Sequence, residues 1–109
     1  MKYHSRKTEI DGILFDSKAE AERYLELRTM QEAGEISELK LQPVYELIPT
    51  FRKNGKTYRR TVYKADFSYI QNGQLIVEDF KGFKTDVYKL KKKLFEFHYP
   101  HLTIKEVRK

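Results

Sequence analysis

The hydrophobic and polar positions of the chain first follow a helical period. Ala21 and Tyr24 recur at the spacing of one helix face, and Ser17 with Glu20 satisfies the S-x-x-E capping box. In such a box the serine hydroxyl accepts a hydrogen bond from a backbone N–H group of the first turn, which favours a helix start at that point. The pattern predicts a helix from about Lys18 to Ala33.

From residue 36 the pattern changes to the shorter period of extended strands, in a stretch rich in β-branched and aromatic residues. Asn54-Gly55 and Asn72-Gly73 interrupt it, and Asn-Gly favours two-residue hairpin turns because both residues tolerate positive φ. Pro43 has no N–H group for strand pairing, so an edge or a bulge is expected near it. The stretch predicts three antiparallel strands, at about residues 40–51, 58–70 and 74–81.

A second helical period lies near the C-terminus. Val87, Leu90, Leu94 and Phe97 recur about every 3.6 residues, and the last three are expected to be buried. Pro100 prevents the helix from continuing. A short alternating strand is predicted to close the chain.

This order of elements, α-β-β-β-α-β, indicates an α/β (α+β) fold with a central mixed sheet flanked by helices. A length of 109 residues allows one domain with one core. Residues 1–109 are therefore predicted to form a single domain, with residues 1–12 as a flexible or edge arm.

The composition excludes several classes of protein. The chain has no cysteine, so a disulfide framework, a zinc–thiolate site and a thiol nucleophile are all excluded. No apolar run approaches the ~20 residues that span a bilayer, and the first residues lack the apolar region of a signal peptide. A cytoplasmic protein with no membrane partner is predicted.

The balance of charge favours a polyanionic partner. Twenty-two Lys and Arg residues stand against 16 Asp and Glu residues, which gives a formal net charge of +6. Contacts between such residues and phosphates gain free energy because they release condensed counterions. A nucleic acid is the partner predicted.

Two acids and a lysine stand at the end of the third predicted strand, in the segment IVEDFKGF. Strand alternation places Asp79 and Lys81 on one face and Glu78 on the other. A tight turn at Asn72-Gly73 brings Asp66 across from a residue near Asp79. Close carboxylates repel each other unless a divalent cation lies between them, and Mg²⁺ prefers oxygen ligands. The pattern predicts a Mg²⁺ or Mn²⁺ site, with Lys81 placed to assist an attacking water.

These residues carry a resemblance to a known superfamily. Asp66, then twelve residues, then Asp79-Phe80-Lys81, within this element order, resembles the PD-(D/E)XK nucleases. The stretch FDSKAEAERYLEL, with the later LQP, ADF and VEDFKG, is similar to small nuclease-like proteins of phages and prophages. The resemblance covers nearly the whole chain. It implies a restriction-endonuclease-like core in which these three charged residues are catalytic and the two acids bind metal.

The resemblance also implies a third acidic ligand. In that superfamily a glutamate on the first helix often completes the metal site, and Glu20 is the matching position here. Glu22 is the alternative. Ala65 departs from the motif, because the nominal pattern has proline before the first aspartate.

Several residues outside the motif are predicted to contact nucleic acid. The second helix presents a basic face to a phosphate backbone, and a basic cluster surrounds Asn54-Gly55 and is expected to form a finger. The alternative for the basic helix is an ordinary solvated face. The residues assigned to nucleic-acid binding are Lys84, Lys89, Lys92, Lys93, Arg59, Arg60 and Gln42, and the finger also carries Arg52, Lys53 and Lys56.

Two functions follow as hypotheses. The first is a Mg²⁺-dependent nuclease that hydrolyses DNA phosphodiester bonds. Because the chain is too short for a separate sequence-reading domain, it is expected to recognise a junction, flap, end or nick, and symmetric cleavage would require a homodimer. The second is a catalytically inactive nucleic-acid-binding or accessory protein with the same fold.

Overall fold

The computed structural model describes residues 7–80 and 84–107 and shows the mixed α+β class that the pattern predicts. The elements follow the changes of period along the chain. In order they are β1 (Thr8–Ile10), β2 (Ile13–Phe15), α1 (Lys18–Glu32), β3 (Ser37–Leu41), β4 (Val44–Ile48), β5 (Phe51–Lys53), β6 (Lys56–Tyr58), β7 (Thr61–Lys64), β8 (Phe67–Gln71), β9 (Gln74–Phe80), α2 (Asp86–His98) and β10 (Ile104–Val107).

A four-stranded mixed sheet with the order β10-β9-β8-β3 forms the centre of the fold. β10 runs parallel to β9, and the connection between them contains α2, as parallel neighbours require. The other neighbours in this sheet are antiparallel. Two-stranded ladders β1-β2, β4-β7 and β5-β6 complete the pairing in the described residues.

The first two predicted strands form one long hairpin that bends in the middle. Two backbone hydrogen bonds form at the bend. The Gln42 backbone N–H donates to the Asp66 backbone carbonyl (2.9 Å), and the Ala65 N–H donates to the Pro43 carbonyl (3.1 Å). These bonds join the β3-β8 ladder to the β4-β7 ladder. Gln42 has a φ of +50°, so the irregularity expected near Pro43 is confirmed. The bend also places Asp66 at the end of β8.

Two-residue turns with positive φ close the hairpins. Asn54 and Gly55 have φ values of +53° and +74°, and Asn72 and Gly73 have +53° and +75°, which confirms both predicted turns. Asp11 and Gly12 form a third turn of this kind, with φ values of +56° and +76°. Residues 8–12, predicted to belong to a loose or edge arm, therefore begin the β1-β2 hairpin.

The first helix is confirmed and covers one face of the sheet. Ser17 is its N-cap, and the Ser17 Oγ accepts from the Glu20 amide at 3.1 Å. Ala21, Tyr24 and Leu27 are buried on α1, in a cluster with residues of β8. Most of the hydrophobic free energy of α1 therefore comes from this face.

The second helix forms where predicted but buries a different face. Tyr88 and Phe95 are buried, whereas Leu90 is 55% and Phe97 75% exposed and Leu94 is partly buried, so the predicted buried face was wrong. The Phe95 ring lies 5.4 Å from the ring of Tyr63, between centroids. The buried rings of α2 pack with residues of β4 and β7, and the predicted stripe lies one position away along the helix.

The two helices lie on opposite faces of the central sheet. Ile76 packs in the α1 cluster and its neighbour Val77 in the α2 cluster, because successive strand side chains point to opposite faces. Among the described residues, no helix is long and apolar enough to cross a membrane.

Candidate active site

The hairpin register brings Asp66 beside Asp79. Phe67 pairs with Glu78, and the backbone N–H of Asp66 donates to the Glu78 carbonyl at 3.1 Å, which brings Asp66, just before β8, next to Asp79 on β9. Their side chains interact directly. The two acids of the motif therefore converge at the bend between β7 and β8.

A third carboxylate reaches the same point from the first turn of α1. The Glu20 side chain interacts with Asp66, whereas Glu22 is exposed to solvent. The helix start set by Ser17 therefore directs Glu20, rather than Glu22, toward the motif acids.

Asp66 holds its proton more strongly than an ordinary aspartate. Burial raises its pKa to about 7, and the neighbouring Glu20 adds to the rise. A 2.6 Å hydrogen bond from the Phe80 amide and the interaction with Asp79 act in the opposite direction. A partly buried acid that faces another acid is the electrostatic environment that a cation would relieve.

Asp79 lies deeper, on the face that packs against α2. It is 3% exposed, and its Oδ2 accepts a hydrogen bond from the Tyr63 hydroxyl. Burial and this carboxylate both raise the pKa of Tyr63, so the phenol remains a donor at neutral pH. Tyr63 therefore orients Asp79, and no feature of the strand pattern distinguished it from an ordinary core residue.

Glu78, the neighbouring acid, serves the other face of the sheet. It is 1% exposed and accepts from Arg23 Nε at 2.6 Å, from Arg23 Nη2 at 2.8 Å and from the Tyr69 hydroxyl at 2.6 Å. Burial opposes ionisation of Glu78, but the bonds from Arg23 and Tyr69 outweigh it and lower the pKa of this carboxyl. Glu78 is thus a paired structural charge that connects the sheet to α1.

Lysines of α2, together with Lys84 just before it, lie next to the candidate site. Glu106 on β10 pairs in register with Asp79, so both side chains point to the α2 face. Lys84 Nζ lies 2.9 Å and Lys92 Nζ 3.2 Å from the Glu106 carboxylate, and Tyr88 donates to it at 2.7 Å. Hydrogen bonds from Lys84, then Tyr88 and Lys92, hold the pKa of Glu106 at about 2.

The other two lysines assigned to nucleic acid adjoin this cluster. Lys89 and Lys93 line a cavity of about 380 Å³ together with Lys84, Lys92 and Glu106. Lys89 and Lys93 are exposed. The four predicted lysines thus gather into one basic pocket on the same sheet face as Asp79.

The remaining predicted residues are dispersed. Gln42 is exposed at the bend, where its backbone N–H donates a hydrogen bond to the backbone carbonyl of Asp66. Arg59 and Arg60 are exposed between β6 and β7, and Arg60 lies 3.9 Å from Glu46. Lys81, the lysine of the motif, lies outside the residues that the structure describes.

The donor set suits a hard divalent cation by its chemistry. Glu20, Asp66 and Asp79 offer carboxylate oxygens, which Mg²⁺ and Mn²⁺ prefer. Within residues 7–80 and 84–107, no group of three or more acidic or histidine side chains already has the arrangement of a metal site. Asp66 and Asp79 instead accept bonds from Phe80 and Tyr63.

Comparison with known proteins assigns the family. Residues 1–109 match the family described as "Protein of unknown function (DUF1064)". The chain belongs to the DUF1064 family. No curated protein and no solved structure matches this DUF1064 chain.

The raised pKa of Asp66 predicts a stability that depends on pH. Because its folded pKa of about 7 lies above the ordinary 3.8, its favourable contribution is complete below pH 3.8 and is lost as the pH rises through 7. Asp66→Asn is therefore expected to raise the free energy of unfolding at pH 8.5 by about 1–3 kcal/mol relative to the wild type. At pH 4.5 it should change the free energy of unfolding little.

Urea unfolding at the two pH values measures this difference. Glu22→Gln is the matched control, since Glu22 is exposed on the same helix turn as Glu20, and it should be neutral at both pH values. If Asp66→Asn changed the free energy of unfolding equally at pH 4.5 and 8.5, the raised pKa of Asp66 would be contradicted.

Proposed function

We propose that this protein is a divalent-metal-dependent nuclease that hydrolyses DNA phosphodiester bonds, with a restriction-endonuclease-like core. The observation that carries the proposal is that Asp66, just before β8, interacts both with Glu20 of the first helix and with Asp79 of the neighbouring strand β9. Carboxylates that interact with one another at a partly buried point disfavour the folded state unless positive charge compensates them, and a divalent cation would supply that charge. The resemblance of Asp66, Asp79 and Lys81 to the PD-(D/E)XK motif supports the same function.

Each residue has a role in this proposal. Glu20, Asp66 and Asp79 would hold Mg²⁺ or Mn²⁺, a cation that polarises phosphate oxygens and lowers the pKa of water. Tyr63 keeps Asp79 oriented through its hydroxyl. Lys81, two residues after Asp79, is assigned the orientation of the attacking water and the stabilisation of charge on the phosphate.

The basic pocket supplies a place for the substrate backbone. Lys89 and Lys93 are exposed, while Lys84 and Lys92 are partly neutralised by Glu106. Such contacts position a duplex without reading its sequence. In this proposal the protein recognises DNA by shape, at a junction, flap, end or nick, and a homodimer would place two sites on two strands.

One observation favours a second function, that of a catalytically inactive nucleic-acid-binding or accessory protein. The described residues contain no group of three acids already arranged for metal. In this alternative the Tyr63 bond to Asp79 and the Phe80 bond to Asp66 would be permanent, and the acids would have only a structural role.

A cleavage assay separates the two functions. We expect wild-type protein with 5 mM Mg²⁺ or Mn²⁺ to cut labelled linear, nicked, flapped or four-way DNA at a preferred branched structure, and EDTA in excess to abolish cleavage. Binding without EDTA-sensitive cleavage of any of these substrates would favour the accessory function. A Ca²⁺ arm controls for binding, because this larger and more flexibly coordinated ion generally supports weaker hydrolysis than Mg²⁺.

A further inference from the structure

A second feature suited to nucleic acid lies away from the candidate active site. Residues 49–60, which we call the finger, contain the β5-β6 hairpin, and each of residues 49–60 is exposed. Phe51 is 44% and Tyr58 41% exposed, and neither belongs to the buried clusters of the described residues. Burial in this fold therefore does not account for two large rings at the finger.

The finger has two chemically different faces. Phe51 pairs with Tyr58 and Lys53 with Lys56, so these four side chains share one face. The two rings are stacked, with centroids 4.8 Å apart and planes 11° apart. Lys56 Nζ lies 5.2 Å from the Tyr58 ring. One face thus presents an ordered aromatic pair followed by two ammonium groups.

On the opposite face, hydrogen bonds from Arg52 stabilise the hairpin. Arg52 donates to the Thr57 hydroxyl at 2.8 Å and to the Gly55 carbonyl at 3.2 Å. These bonds support the turn that Asn54 and Gly55 form with positive φ. The aromatic pair is therefore presented by a braced hairpin rather than by a loose loop.

Charge identifies the kind of partner. Residues 49–60 contain five basic residues and no acidic residue. A cationic surface with exposed aromatic rings combines the two contacts that bind single-stranded nucleic acid: phosphates bind the cations, and bases stack on the rings. A duplex keeps its bases stacked on one another, so an aromatic pair has no base face to contact there.

We propose that the finger binds unpaired nucleotides, with a base stacked against the Phe51–Tyr58 pair and adjacent phosphates on Lys53 and Lys56. The finger is thus a recognition element separate from the acids of the candidate active site. For a nuclease, it would select DNA that carries a flap, a gap or a junction with unpaired bases. The binding itself does not depend on catalysis.

Fluorescence anisotropy in EDTA tests the proposal without any cleavage. The labelled probes are single-stranded oligo(dT), oligo(U), a flapped duplex and a blunt duplex of equal length. We expect the double variant Phe51→Leu/Tyr58→Leu, which keeps apolar side chains but removes both rings, to weaken binding to the single-stranded and flapped probes about tenfold. Binding to the blunt duplex should change less than about twofold, since its bases are not available for stacking.

Two matched variants control for charge and for exposed apolar surface. Lys53→Ala/Lys56→Ala should weaken binding to every probe and reduce the slope of log affinity against log salt concentration by about 1.5. Phe97→Leu makes the same ring deletion at a site that is 75% exposed on α2, and it should leave the preference for unpaired probes unchanged.

Three results would overturn the proposal. The first is an equal loss on blunt and flapped probes, and the second is no loss on any probe. The third is a ring variant that turns a dimer into a monomer in sedimentation, because the finger would then be an interface between copies of the chain.

Oligo(U) and oligo(dT) report whether RNA and DNA are both bound. Because all measurements are made in EDTA, failure of the nuclease assay does not affect them.

Discussion

Asp79→Asn is expected to lower the proposed Mg²⁺-dependent DNA cleavage at least about a thousandfold, because it removes the charge of a carboxylate proposed to bind the metal and so removes stabilisation of the charged transition state. The amide keeps an oxygen that can accept the Tyr63 hydrogen bond, so the fold should be preserved. DNA affinity in Ca²⁺ should change only a few-fold. Initial cleavage rates on the preferred substrate, with protein in excess, measure the effect.

The two glutamates of the first helix turn provide a matched comparison. Glu20→Gln should reduce cleavage by about tenfold or more, since its carboxylate interacts with Asp66, whereas Glu22→Gln should retain the wild-type rate. Equal rates for wild type and Asp79→Asn would contradict the nuclease proposal. A larger loss for Glu22→Gln than for Glu20→Gln would contradict the assignment of the third ligand.

Local sequence rules were sufficient where the determining contacts are local. Asn-Gly specified two hairpin turns, and the Ser17 cap specified the start of α1. Once the Asn72-Gly73 turn fixes the register, the approach of Asp66 to Asp79 follows from counting residues along two strands. For this reason the sequence predicted the motif acids as neighbours.

Features that depend on distant packing were not predictable in this way. On α2 the stripe of Val87, Leu90 and Phe97 and the stripe of Tyr88 and Phe95 have the same period, and only the space above β4 and β7 decides between them. Asp11-Gly12 is a local turn signal of the same kind, although it lies within the residues predicted to form an arm. Glu106 lies beside Asp79 because β10 pairs with β9 in parallel, and no local sequence pattern specifies that register.

The contrast between Glu78 and Asp79 explains why strand β9 ends in two buried acids. Because strand side chains alternate, the two acids point to opposite faces of the sheet. Glu78 accepts hydrogen bonds from Arg23 and Tyr69, and Asp79 accepts one from Tyr63. Glu78 has a cationic partner, as a buried charge generally requires. Asp79 accepts a hydrogen bond from the phenol of Tyr63 and interacts with the carboxyl of Asp66, and the proposed cation would bind these two acids together.

The structural role of Glu78 predicts a large loss of stability in Arg23→Ala. The Arg23 side chain is 17% exposed and donates two bonds to a carboxylate that is 1% exposed, so its removal leaves an uncompensated buried charge. We expect the free energy of unfolding at pH 7 to fall by about 3–5 kcal/mol. Urea unfolding followed by circular dichroism measures it.

Arg28→Ala, on the same helix, is the matched control for that loss. Arg28 pairs with Asp11, but the two side chains are 38% and 41% exposed, so water replaces much of what the variant removes. Its cost should be far smaller than that of Arg23→Ala, because solvent screens an exposed ion pair. Similar costs for the two variants would show that the Arg23–Glu78 pair is weakly coupled to folding. In that case the burial of Glu78 would need another explanation, and its exclusion from the candidate active site would lose its physical basis.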